Sequence, residues 1–312
     1  MNISVEYKDV KGTLSNRSFK MTRVAFAKHL AIAGQGYAPN ARKFLRTIGM
    51  FFHYSYYIQR KAFYDNRFSE PPTGLSDPTE KGQFSNLTGK AIADFLSKRI
   101  DKSLYTVNYE AVMRLKKHKI KGERPDLVAY SPIGMFSIEA KGRHENNPGD
   151  MTEHKTQAQS GPIGVNFSVA CISYNIFNRV TCNYHDPFNE NVQYDNESLQ
   201  ALTKKYYSGL STFLNKKYFQ YREVQIQGES FYEIELGYRS FEKIFPDEFP
   251  FRPFWHHEIF EFYRPRLILP IKILDMASNG ITNQTEPFNY QATDSNDYTY
   301  IDNDRVGLRI RE

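Results

Sequence analysis

The chain has 312 residues, of which 40% are hydrophobic, so it can hold one large domain or two small ones. The composition excludes a membrane protein, because 24% of the residues are charged and the mean hydropathy is -0.61. In addition, no run of apolar residues approaches the ~20 that a membrane-spanning helix needs. The net charge of +6 and the pI near 9.0 are moderate for a nucleic-acid partner. Cys171 and Cys182 are too few for a disulfide framework and are expected to be buried free thiols.

Residues 1–7 lack the basic-then-apolar pattern of a signal peptide, which predicts a cytoplasmic protein. Residues 1–86 are predicted to form a helical, aromatic-rich N-terminal extension, with its helical stretch at residues 41–63. Near the end of this extension, Asp77 suits the N-cap of a helix and Pro78 suits the first helical position.

The next elements lead into a strongly basic segment. Residues 87–100 have helical apolar spacing, and the alternation within residues 105–115 predicts a strand. Six cations then precede Asp126, with Glu123 as the one acid among them: Arg114, Lys116, Lys117, Lys119, Lys121 and Arg124. Placed beside a site, this loop would gather phosphates and make binding depend strongly on salt. The alternative is an ordinary solvated loop.

Two runs of alternating apolar and polar residues flank a turn, which predicts a β-hairpin. Residues 131–134 suit a four-residue loop on a type I turn, with Pro132 and Gly134 at favourable positions. Tyr130 then pairs with Met135, and Asp126 lies opposite Glu139. The apolar face holds Leu127, Ala129, Phe136, Ile138 and Ala140, and the other face holds Asp126, Ser137, Glu139 and Lys141. A slip of one residue would mix the faces, which burial penalises.

Asp126, Glu139 and Lys141 therefore converge, because opposed Cβ atoms lie roughly 5 Å apart and alternate residues point the same way. Two carboxylates about 4 Å apart repel by roughly 4 kcal/mol at an effective dielectric of ~20, so they must be screened, protonated or bridged by a cation. Mg²⁺ suits such a pair, with Mn²⁺ as a possible substitute. Lys141 would hold or activate the nucleophilic water or stabilise transition-state charge. The positions are expected to be exposed; the alternative interpretation is a surface ion pair.

Further elements follow the hairpin. Residues 151–160 predict a polar helix and residues 164–172 another strand. Residues 188–312 are expected to form a C-terminal α+β extension. Within it, residues 281–304 carry five acids and no basic residue, which predicts an exposed segment or an acidic flap.

The run Pro125-Asp126, twelve intervening residues, then Glu139-Ala140-Lys141 resembles the core motif of the PD-(D/E)XK nuclease superfamily, which includes many restriction and DNA-repair enzymes. The resemblance implies an α/β fold over residues 87–187, with a restriction endonuclease-like α-β-β-β-α-β core and a mixed sheet flanked by helices. It also implies Asp126 and Glu139 as metal ligands and Lys141 as the catalytic lysine. The predicted elements have this order.

Many members of this superfamily carry a further acid on the first helix, often just after a glycine, but here Gly89 is followed by Lys90. Three substitutes remain open. Glu80 also suits a capping box at the helix start. Asp94 is expected to face solvent, and Glu110 lies on the predicted first strand.

The resemblance and the basic loop together predict a Mg²⁺-dependent nuclease that hydrolyses phosphodiester bonds, in DNA rather than RNA, in restriction, repair or defence against mobile DNA. A homodimer or an ATPase on a separate chain are possible partners, and no membrane association is expected. Gln157 and Gln159 on the second helix are candidates for steadying the site. Two alternatives remain: a non-cleaving DNA-binding or assembly module on the nuclease fold, and an interaction protein without a nucleic-acid role.

Overall fold

The computed structural model describes most of the chain. The described residues are 1–36, 41–75, 77–131, 134–186, 196–237, 240, 254–280, 288, 290 and 297–311. Pro132 of the predicted turn and most of the segment 281–296 therefore lie outside the described residues. Within the described ranges, no helix combines the length and the apolar character that crossing a membrane requires.

A mixed seven-stranded sheet organises the first part of the chain, which confirms the predicted α/β class. Its strands are β1 (Asn2–Lys8), β2 (Leu14–Lys20), β3 (Tyr105–Asn108), β4 (Leu127–Ser131), β5 (Gly134–Gly142), β6 (Phe167–Tyr174) and β7 (Thr181–His185). They are ordered β2-β1-β7-β6-β5-β4-β3. The β1–β7 and β5–β6 pairs are parallel and the other pairs antiparallel.

Helices cover both faces of the sheet. The helices in this part of the chain are α1 (Arg23–Ile32), α2 (Ala41–His53), α3 (Arg60–Tyr64), α4 (Pro78–Ile100), α5 (Tyr109–Leu115), α6 (Met151–Ala158) and α7 (Asn196–Ser211). On β5, a Cβ atom at Gly142 would point at Ser85 of α4. Ser137 faces the other way, because its hydroxyl donates to the Ala158 carbonyl of α6 at 2.6 Å. The polar side of the hairpin is thus covered by α6.

Helix α4 begins where the sequence predicts. The Asp77 side chain accepts a hydrogen bond from Thr79 N at 2.7 Å, and Pro78 is the first helical residue. The helix then continues across the predicted boundary at residues 86 and 87, so the three-part division of the chain stays a prediction.

Two segments differ from their predicted secondary structure. The first twenty residues, expected within a helical extension, form β1 and β2, since Ile3 and Val5 alternate with more exposed residues and β1 pairs with β7. The strand predicted over residues 105–115 ends at Asn108. Its side chain accepts from Ala111 N at 3.2 Å, which caps α5 and stops the strand.

A five-stranded sheet follows. Its strands are β8 (Tyr221–Ile226), β9 (Glu229–Glu235), β10 (Arg266–Pro270), β11 (Thr299–Ile301) and β12 (Gly307–Arg309), with α8 (Phe254–Tyr263) and α9 (Ile273–Asn279) between strands. The prediction of an exposed acidic segment is wrong for its described part: Asp297, Asp302 and Asp304 are at most 2% exposed. Asp302, for example, pairs with Lys28 of α1 at 2.7 Å.

Candidate active site

The β4–β5 hairpin has the predicted register. Tyr130 pairs with Met135 and Leu127 with Ile138, and extending the register by one residue places Asp126 opposite Glu139. The Ala140 N–H donates to Asp126 Oδ2 at 3.3 Å, which holds the first carboxylate against the second strand. The hairpin therefore brings the two predicted acids together.

Glu139 is fully buried, so the expectation that it lies on an exposed face is wrong. Its Oε1 lies 2.6 Å from Lys141 Nζ, whereas Oε2 has no hydrogen-bond partner among the described residues. Burial and then the charge of Asp126 raise the pKa of Glu139 from 4.5 to about 7, against the opposing effect of Lys141 and Lys90. A buried carboxylate oxygen without a partner is costly, and a cation or a proton would relieve that cost.

Lys141 is the third predicted residue, and its side chain is 36% exposed. Burial works to lower the pKa of Lys141, but the hydrogen bond and the charge of Glu139 outweigh it and raise the pKa above 10.5. Lys141 is therefore protonated at neutral pH. Its ammonium can donate to an anionic oxygen but cannot take a proton from water.

Two glycines set the distance between α4 and this strand. A Cβ atom on Gly89 would lie 2.6 Å from the Lys141 carbonyl oxygen and would overlap Gly142 N, and one on Gly142 would overlap the Ser85 carbonyl. The helix backbone thus rests directly on β5. Lys90 follows Gly89 and reaches Asp126, with 2.8 Å between Nζ and Oδ1. Lys90 therefore occupies the position at which the resemblance implies an acidic residue.

The candidate third acids have other contacts. Asp94 is fully buried and not solvated as expected, because its Oδ2 lies 2.6 Å from His29 Nδ1. Glu110 lies on α5 and pairs with Arg124. Glu80 lies beside Tyr57, whose pKa it raises in addition to burial. Among the described residues, no cluster of three or more His, Cys, Asp or Glu side chains that could hold a metal ion is present.

Asp126 and Glu139 nevertheless fit Mg²⁺. This ion prefers oxygen ligands and is commonly bound by one or two carboxylates, with waters and substrate phosphates completing its shell. The partnerless Glu139 Oε2 provides such an oxygen. A third protein carboxylate is not required.

Arg143 and His154 are two neighbours of the site that the sequence interpretation missed. Arg143 Nη2 lies 3.2 Å from His154 Nε2, and the pKa of His154 is lowered by burial, Arg143 and Lys141. Arg143 directly follows β5 and extends the alternate spacing of Glu139 and Lys141 by one step, so the period of two could have revealed it. His154 gives no comparable signal in the polar helix.

Gln157 has a supporting contact. Its side-chain amide donates to the Arg124 carbonyl at 3.2 Å and so ties α6 to the segment that leads into Asp126. Gln159 is exposed. The two cysteines are buried free thiols, as expected.

The basic loop lies beside a groove close to the site. Residues 114–123 are exposed, while Arg124 is paired with Glu110. An open groove of about 560 Å³ runs between residues 34–36 and α5, and both Gly34 and Arg114 line it. A Cβ atom on Gly34 would lie 3.5 Å from Lys90 Cδ, so one part of the groove adjoins the Lys90–Asp126 pair.

No family model, no curated protein and no solved structure matches the chain.

Proposed function

We propose that this chain is a metal-dependent nuclease that hydrolyses phosphodiester bonds, with DNA as the favoured substrate. The observation that carries the proposal is the fully buried Glu139 carboxylate, which has one partnerless oxygen and lies in a hairpin with Asp126 and Lys141. A buried carboxylate with an unpaired oxygen beside a second carboxylate is costly to maintain unless a cation or a proton relieves it. We assign Asp126 and Glu139 as metal ligands and Lys141 as the catalytic lysine.

The order of elements supports a restriction endonuclease-like core. Helix α4 is followed by β3, β4, β5, α6 and β6, with the short helix α5 between β3 and β4. The strands β3, β4 and β5 are antiparallel neighbours, and β6 adds in parallel to β5. This is the α-β-β-β-α-β order that the resemblance to the PD-(D/E)XK superfamily implies.

Each residue has a distinct role in the proposed reaction. Asp126 and Glu139 would hold Mg²⁺, which when bound acidifies a coordinated water and neutralises charge on the phosphoryl oxygens. Lys141 donates to a phosphoryl oxygen and stabilises the negative charge that develops there. Lys90 orients the Asp126 carboxylate through their 2.8 Å ion pair.

A net charge of +6 and the exposed basic loop support a polyanionic substrate. We favour DNA over RNA on the resemblance alone. Restriction, repair or defence against mobile DNA is the corresponding biological context, with a homodimer or a separate ATPase as proposed partners.

A second candidate function is favoured by the Lys90–Asp126 ion pair. A lysine that neutralises a metal-binding carboxylate weakens its attraction for a cation. The chain would then bind DNA or assemble on it without cleaving it. Binding that persists in EDTA, together with no cleavage in any metal, is the result that distinguishes this candidate.

The deciding experiment measures cleavage of plasmid, linear and single-stranded DNA with Mg²⁺, Mn²⁺ or EDTA. We expect cleavage with metal and none with EDTA. Lys141→Ala and Glu139→Gln should each reduce the rate by roughly 10²-fold or more, the typical cost of losing transition-state charge stabilisation. Glutamine replaces Glu139 because alanine would leave a cavity at this buried position.

The matched controls are Lys102→Ala and Glu153→Gln, which make the same chemical changes at exposed positions. Both should retain wild-type cleavage. If Lys141→Ala and Glu139→Gln also retain it, the active site lies elsewhere.

A further inference from the structure

Arg143 is a cation beside the site, and within the described part of the chain it forms no ion pair with a carboxylate. It follows β5 directly, and it shares the strand spacing of Glu139 and Lys141. Lys90 and Lys141 are paired with acids, but among the described residues the side chain of Arg143 contacts only His154 within hydrogen-bond distance. Its positive charge is therefore free to attract an external anion.

His154 holds this guanidinium without neutralising it. The histidine is 6% exposed, and its Nε2 lies 3.2 Å from Arg143 Nη2. A guanidinium can only donate, so Nε2 must accept and the ring proton must lie on Nδ1. Nδ1 has no hydrogen-bond partner within the described part of the chain. A carboxylate at this position would hold Arg143 equally well but would cancel its charge.

Gly149 also fits this arrangement. It precedes α6 with φ of +80°, and a Cβ atom there would lie 2.9 Å from Arg143 Nη2. The backbone before α6 therefore passes close to the guanidinium, and a larger residue would displace it.

We propose that Arg143, positioned by His154, binds a backbone phosphate of the substrate strand next to the phosphate at Lys141. Alternate residues along a strand point to the same side with Cα atoms about 7 Å apart, so Arg143 and Lys141 present two cations side by side to a substrate strand. The identity of the ligand as nucleic acid rests on the proposed function, whereas the binding of a phosphate anion does not.

The first test uses inorganic phosphate and the ring nitrogens of His154. In ¹⁵N NMR spectra of the labelled protein with EDTA, we expect His154 in the Nδ1–H tautomer. Added phosphate should shift its ring resonances in the wild type but not in Arg143→Gln. An Nε2–H tautomer, or the same response in both proteins, overturns the proposal.

The second test measures DNA binding in EDTA, where no metal-dependent cleavage takes place. Arg143→Gln should weaken binding roughly tenfold, as expected for the loss of a charge-assisted hydrogen bond. It should also lower the slope of log affinity against log salt by about 0.9 for duplex DNA. The matched control is Arg179→Gln at an exposed position, which should leave both values unchanged.

Two variants separate positioning from a merely structural role of His154. The amide of His154→Gln can replace the Nε2 acceptor, whereas His154→Asn places its amide near Nδ1 and leaves Arg143 without that acceptor. We expect near-wild-type binding for the glutamine variant and weak binding for the asparagine variant. With Mg²⁺, the asparagine variant should raise KM more than it changes kcat.

Equal loss in both variants at equal thermal stability would show that His154 does not act through Arg143. The outcomes also separate the two proposals. A wild type that neither binds nor cleaves DNA defeats the proposed function, and the phosphate titration still decides the anion site.

Discussion

At the scale of single residues, Glu139 has the most unusual environment of the three predicted site residues. It is fully buried, it is paired on one oxygen only, and it faces a second carboxylate across the hairpin. Burial disfavours its charged form, and Lys141 compensates this only in part, so its pKa is raised to about 7. Near neutral pH the metal-free carboxyl therefore exchanges readily between protonated and ionised forms.

This raised pKa predicts a pH-dependent stability of the metal-free protein. The folded-state pKa lies above the ordinary value of 4.5, so the folded chain binds the proton more tightly than the unfolded chain. The resulting stabilisation is fully present below about pH 4.5 and is lost as pH rises through about 7. We expect Glu139→Gln to remove up to about 3 kcal/mol of this dependence in urea titrations with EDTA.

The control for this measurement is Glu153→Gln on the exposed side of α6, which should keep the wild-type pH profile. Identical profiles for wild type and Glu139→Gln would contradict the raised pKa.

At the scale of elements, the contact between α4 and β5 determines which side chains reach the site. Gly89 and Gly142 allow the two backbones to touch, and this places Lys90 against Asp126. A larger residue at either position would move the helix away from the strand. The same contact presses α4 against the backbone that carries Lys141.

Gly89→Ala should therefore destabilise the fold. Ala is the better helix former, but its Cβ would overlap the strand backbone, and overpacking of this kind typically costs about 1–3 kcal/mol. Gly82→Ala in the same helix has no atom within 4 Å of the new Cβ and should stabilise by about 0.5–1 kcal/mol. Urea denaturation of both variants gives the comparison. Equal stabilisation by the two changes would mean that the close contact is absent.

At the scale of the whole molecule, a buried charged cluster joins the two ends of the chain. Asp302 pairs with Lys28 of α1 at 2.7 Å and with Lys98 of α4 at 3.4 Å. Burial alone would raise the pKa of Asp302, but Lys28 and Lys98 outweigh it and lower the pKa. Asp94 belongs to the same cluster, because its Oδ2 lies 2.6 Å from Nδ1 of His29. Removing one partner would leave an uncompensated buried charge, so this cluster favours one arrangement of its elements.

Charge at the surface of the molecule gives a further prediction. Replacing Lys116, Lys117, Lys119 and Lys121 with glutamine should weaken DNA binding for all sequences. Each lost phosphate contact lowers the salt slope by about 0.9 for duplex DNA. Anisotropy titrations at several salt concentrations measure this, and cleavage per bound complex should change less than affinity.

The matched control replaces four exposed lysines elsewhere, Lys204, Lys205, Lys216 and Lys217. Both quadruple variants lower the net charge by four from +6, so an effect of overall charge alone would be equal in the two. An unchanged slope in the first variant would identify the basic run as an ordinary solvated loop.

The sequence by itself determined the features that depend on near neighbours. Alternation along β4 and β5 predicts the register that brings Asp126 opposite Glu139, because a slip would expose apolar side chains. Asp77 and Pro78 predict the start of α4, because a helix end needs a local cap. Prediction fails where two local sequence signals compete. The alternation of apolar and polar residues predicts a strand that continues beyond Asn108, but the Asn108 side chain caps α5 and the strand ends there.

Only the tertiary structure decided what surrounds these residues. The burial of Glu139 depends on α6 covering the polar side of the hairpin, and the burial of Asp94 depends on His29, 65 positions away in the chain. The Arg143–His154 contact joins the residue that follows β5 to α6, whose sequence pattern does not indicate such a contact. The burial and the charge environment of these side chains depend on residues that folding brings together from distant segments. The local periodicity of the sequence therefore does not indicate them.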